Sequence, residues 1–106
     1  MCTMIVKQIE VEGYAKGKAD WFEVRQAYVS YDHPFKAPFE HALNIDLVNE
    51  AQGPAARISA ELGPEAARSL AEAILAVLAQ AEAGGYLERS PDATQANHAL
   101  RAVQPK

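Results

Sequence analysis

Cys2, His33 and His41 carry the side chains in this chain best suited to holding a metal or moving a proton. Two imidazoles and a thiolate form a ligand set for Zn²⁺ or another divalent first-row metal. Without a metal, the same groups suit proton transfer, because imidazole titrates near neutrality and a thiol beside a helix N-terminus ionises readily. Asp32 and Glu40 stand next to the two histidines in sequence, where a carboxylate can orient a ring. The candidate catalytic set is therefore His33, His41, Asp32 and Glu40, and the candidate metal set is Cys2, His33 and His41. A structural reading stands beside both. His33 precedes a proline and ends a strand, and His41 fits a core-edge position. Asp32 is a common residue where a strand breaks, and Cys2 suits a small apolar site. The spacing of His33 and His41 matches no established metal motif. His98 falls in a polar, alanine-rich stretch and is given no role.

Which elements would bring these residues together? Apolar alternation predicts strands over 3–12, 21–32, 40–49 and 56–62. The third is the clearest, with His41, Leu43, Ile45 and Leu47 alternating against Glu40, Ala42, Asn44 and Asp46. In the first strand the alternation is interrupted at Lys7. Either both faces are half buried, or a bulge slips the phase at Lys7-Gln8. Pro34 and Pro38 make HPFKAPF a stiff loop. Pro64 and Glu65 open a helix whose apolar residues Leu70, Ile74, Val77 and Leu78 share one face, and Gly84-Gly85 closes it. The expected fold is α+β: a four-stranded antiparallel meander followed by one long helix packed on one face. The domain would span 1–85, with 86–106 a weakly ordered tail or a short helix.

A meander returns strand two and launches strand three at the same end. Cys2, Asp32, His33, Glu40, His41 and the helix start would gather there. If Tyr31 pairs with Leu43, His33 falls opposite His41, and directly opposed side chains lie ~4.5–5.5 Å apart at Cβ. A slip of one residue would exchange these partners.

The bulk properties narrow the class. The chain has 106 residues, enough for one domain. A net charge of −4 with scattered Lys and Arg argues against a nucleic-acid partner. No apolar run approaches the ~18–20 residues of a membrane span, and the N-terminus lacks the basic region of a signal peptide. One cysteine fits a reducing compartment, so a cytoplasmic location is expected.

The stretches MCTMIV and VSYDHPFKAPFEHALNIDLVNEA resemble a family of small bacterial proteins known as a domain of unknown function. The resemblance runs from Met1 to about Ala83 and takes in Trp21-Phe22 and LGPEAARSLAEAI. Relatives in that family often carry histidine where this chain has Lys36, so any third imidazole used by the family is missing here. The resemblance implies domain boundaries and no activity.

Two functions remain open. One is a small enzyme acting on a small metabolite through the Cys/His/His cluster, with or without a divalent metal. The other is a non-catalytic module that binds a small ligand, or a partner through an exposed sheet face. A homodimer is expected, because one helix ~10 Å across cannot cover four strands spaced at ~4.8 Å.

Overall fold

The computed structural model describes residues 3–88. Four strands follow in chain order: β1 (Ile5–Lys16), β2 (Trp21–Asp32), β3 (Ala42–Val48) and β4 (Arg57–Leu62), and α1 (Pro64–Ala83) comes after them. The sheet order is β1-β2-β3-β4, and every neighbouring pair is antiparallel. The expected meander followed by one helix is therefore the observed architecture. The chain divides into two compact units, Met1–Ala67 and Arg68–Lys106. The short C-terminal helix considered from sequence would fall largely within 89–106, outside the described residues.

β1 is longer than the alternation predicts. Its bulge lies between Glu10 and Gly13, not at Lys7-Gln8. There Val11 and Glu12 oppose Arg25 alone, which resets the face and lets Gly13–Lys16 pair with Trp21–Val24. Sequence reading took Gly13 for the start of a loop. The actual turn is shorter and is closed by Gly17 N–H donating to Asp20 C=O at 2.8 Å. β3 begins two residues later than expected, so Glu40 and His41 precede it.

Each face of the sheet has its own character. Tyr31 pairs with Leu43 and Leu43 with Leu62, while Val29 pairs with Ile45 and Ile45 with Ala60. These residues make an apolar face. Ser30, Asn44 and Glu61 share a row on the other side, as do Tyr28, Asp46 and Ser59. Buried Asn49 ends β3. Its amide donates to Glu23 C=O at 3.0 Å, and its oxygen accepts from Ala51 N–H at 3.2 Å to cap the 3-10 turn Glu50–Gln52.

Sequence patterning gives α1 an apolar stripe of Leu70, Ile74, Val77 and Leu78; α1 buries none of its residues, and Ile74 is 51% and Val77 64% exposed. The buried apolar residues are Ala15, Val24, Ala27, Ala42, Val48 and Ala56, all small. Periodicity reports that a helix has an apolar stripe. It does not report what covers that stripe. Gly85, at φ 77°, ends α1. Tyr86 N–H reaches Ala81 C=O at 2.8 Å and Gly85 N–H reaches Glu82 C=O at 3.0 Å, a Schellman closure. No helix among the described residues is long and apolar enough to cross a membrane.

These burial values predict an uneven response to truncation. Val48→Ala, at a site 4% exposed, should destabilise by about 2 kcal/mol. Leu75→Ala, at a site 67% exposed, should cost under about 0.5 kcal/mol. Urea denaturation checks both, and equal losses would contradict this placement of the core.

Candidate functional site

The β2–β3 register sets the site. Tyr31 opposes Leu43 and Asp32 opposes Ala42, so one more step outward places His33 across from His41. Their rings stack, with centroids 4.8 Å apart and planes at 28°. Tyr31 extends the stack, its ring 6.0 Å from that of His41. One potential ligand atom from each of Asp32, His33 and His41 lies within 4.8 Å of the other two. Ala42, the β3 residue paired with Asp32, is completely buried.

Asp32 is fixed from several directions. Its carboxylate accepts from the His33 backbone N–H at 2.8 Å. That bond is the main reason its carboxyl lies below the ordinary aspartate range. The Thr3 backbone N–H and the two nearby imidazoles act in the same direction, and partial burial opposes them. Thr3 also donates its hydroxyl to Tyr31 C=O, which ties the entry of β1 to the end of β2. Met4 follows in the left-handed region at φ 62° and turns the chain into β1.

The His33 ring sits with Nδ1 3.1 Å from Glu40 C=O. A carbonyl only accepts, so Nδ1 carries the proton in this contact. Glu40 thus takes part through its backbone, and its exposed carboxylate is not among the three clustered ligand atoms. Cys2 lies outside the described residues.

Glu61 is the residue that sequence reasoning missed. Alternation along β4 gives it only an outward-facing place. Its carboxylate accepts from three consecutive backbone N–H groups: Phe35 at 2.5 Å, Lys36 at 2.8 Å and Ala37 at 2.8 Å. These bonds hold its carboxyl below the ordinary glutamate range. The loop from His33 to His41 is therefore pinned over β4. A signal was present in the prolines. Pro34 and Pro38 lack N–H groups and bracket a run of three that have them, a short anion-accepting nest.

A family model described as "Family of unknown function (DUF6295)" matches residues 1–87. The chain belongs to this family. The match covers all four strands, the loop and α1, in agreement with the resemblance carried by MCTMIV and by the DHPF–EHALNID region. No curated protein matches the chain, and no solved structure does. Within the family's span, the described cluster is Asp32, His33 and His41.

The Glu61 contacts predict a pH-dependent loop. A carboxyl lowered on folding contributes stability that is complete above its unfolded value and is lost as pH falls through its folded value. Hydrogen exchange at Phe35, Lys36 and Ala37 should thus be slow near neutrality. Relative to a Glu61→Gln variant, that protection should disappear in acid. Equal exchange in the two proteins at neutral pH would show that the carboxylate does not hold the loop.

Proposed function

We propose that this protein binds a divalent first-row metal, Zn²⁺ foremost, through His33, His41 and Asp32, and uses it to act on a small metabolite. The observation that carries this reading is the approach of three ligand atoms of suitable chemistry to within 4.8 Å. A tetrahedral Zn²⁺ shell with bonds of ~2.0–2.1 Å places its ligands about 3.4 Å apart. The cluster must therefore contract by up to about 1.4 Å, within the reach of side-chain rotation alone at a strand end.

Several features favour ligation. Asp32 is a carboxylate at neutral pH, since its carboxyl is lowered. Glu40 C=O fixes the His33 ring through Nδ1, the usual outer support of a metal-bound histidine. Three protein ligands leave an open position, which a catalytic metal needs for water or substrate. Cys2, the sequence candidate for a further ligand, precedes Thr3, whose backbone N–H meets Asp32. The metal would lower the pKa of a bound water or polarise a carbonyl. Without metal, the same imidazoles would serve as acid and base toward the metabolite.

Metal analysis of protein purified without a histidine tag tests the proposal, followed by calorimetric titration with Zn²⁺. About one ion per chain is expected, with micromolar or tighter affinity. His33→Ala and His41→Ala should each abolish detectable binding while the fold survives. Failure to bind Zn²⁺, or binding unchanged in the double variant, contradicts the metal reading.

A second reading is a dimeric interaction module, favoured by exposed apolar side chains. Ile5 is 57% and Ile9 52% exposed on β1, and Leu70, Ile74 and Val77 are exposed on α1. A twofold contact would bury such surface. Light scattering at tens of micromolar should then report a dimer that persists after truncation at Gly85 and is lost in Ile9→Asp. A monomer would exclude this module.

A further inference from the structure

The connection 33–41 joins β2 to β3 and is longer than the ~2–5 residues of an ordinary hairpin. Its first and last residues are the two stacked imidazoles, His33 and His41. By strand alternation they continue the side of the sheet that carries Tyr31 and Leu43, and the His41 ring stacks on that of Tyr31. The middle of the connection is fastened elsewhere. Phe35, Lys36 and Ala37 donate to Glu61, which belongs to the opposite row of Ser30, Asn44 and Glu61. The connection is thus a strap around the end of the sheet, with both ends on the apolar side and its middle held from the polar side.

Two further contacts tie the strap and the site to the same corner. The Phe39 ring lies over Gly63, where a Cβ would stand 3.6 Å from it. Asn44, the β3 partner of Glu61, donates through Nδ2 to Asp32 C=O at 3.4 Å. A carboxylate suits the anchoring role because it only accepts. One oxygen takes the Phe35 N–H and the other takes those of Lys36 and Ala37. A glutamine of the same shape has one accepting oxygen and turns an NH₂ group toward a donor.

We infer that Glu61 is a positioning residue of the His33–His41 site: by holding the middle of the strap, it fixes the spacing of the two imidazoles that end it. Its carboxylate meets backbone groups of 35–37 and acts on the imidazoles through the chain between them. Where a metal is concerned, this role rests on the function proposed above; the ring contact does not depend on it. With the strap held, metal binding needs only rotation of the Asp32, His33 and His41 side chains. With the strap released, its backbone must be ordered at the moment of binding, and that entropy is subtracted from the affinity. Groups that orient metal ligands from behind are worth ~10–100-fold in metal affinity, and Glu61 belongs in that range. The coupling is reciprocal: the factor by which the held strap tightens metal binding is the factor by which bound metal holds the strap closed.

The test uses the full chain without a histidine tag and has three arms. Calorimetric titration with Zn²⁺ should show Glu61→Gln binding ~10–100-fold more weakly than wild type. Val48→Ala, which weakens the core at the other end of β3, should keep the wild-type affinity. In the wild-type chain, saturation with Zn²⁺ should slow amide exchange at Phe35, Lys36 and Ala37 by a comparable factor, a measurement that needs no variant. In metal-free protein, nuclear Overhauser contacts between the His33 and His41 rings should be strong in wild type and lost in Glu61→Gln. Equal Zn²⁺ affinity in Glu61→Gln and wild type overturns the positioning role, as does exchange at 35–37 that Zn²⁺ leaves unchanged. An equal loss of affinity in Val48→Ala assigns the effect to global stability and overturns it too. If the wild-type chain binds no Zn²⁺, the metal reading fails by itself and the ring contact decides. Undiminished His33–His41 cross-peaks in Glu61→Gln then overturn the role, and their loss supports it.

Discussion

Tyr31 opposite Leu43 is the pairing on which the rest of this structure depends. Side chains alternate strictly along a strand, so a single register decides both faces at once. With Tyr31 against Leu43, the apolar residues of β2, β3 and β4 fall on one side and the row of Ser30, Asn44 and Glu61 falls on the other. The same register carries the ladder out to His33 and His41, whose rings then meet. A slip by one residue would turn Ile45 and Leu47 to the polar side and separate the imidazoles. The burial pattern that selects the register therefore also assembles the candidate site.

A register alone leaves the eight-residue step from His33 to His41 free to wander. Two devices remove that freedom. Pro34 and Pro38 restrict the backbone of the loop and of the residues before each proline. Glu61 then gathers the three N–H groups between the prolines on one carboxylate. Asn44 adds a link from the polar face to Asp32 C=O. Asp32 is thus held through its carbonyl by Asn44 and through its carboxylate by His33 and Thr3. The two faces of the sheet meet at this one residue.

Sequence patterning read the four strands, their order and the helix, because each carries its own period. It read the His33–His41 meeting because a meander has few ways to close. The bulge at Glu10–Gly13 lies away from Lys7-Gln8, the one position considered for it, since Gly13 looks the same in a loop and in a bulged strand. Glu61 was missed because its partners are backbone groups about 25 positions away. Nothing in the type of a residue marks it as a receiver of main-chain donors. The apolar stripe of Leu70, Ile74 and Val77 on α1 was legible from its period, whereas burial depends on a partner surface that the period does not name.

Proton–proton contacts between the two imidazoles test the register-built site most directly. In the folded chain at neutral pH, ring protons of His33 and His41 should give nuclear Overhauser cross-peaks, as rings with centroids 4.8 Å apart require. Tyr31 ring protons should show weaker contacts to His41 alone. Absence of any His33–His41 cross-peak, with Tyr31 amide contacts to Leu43 also missing, would mean a different register and would contradict the site as described.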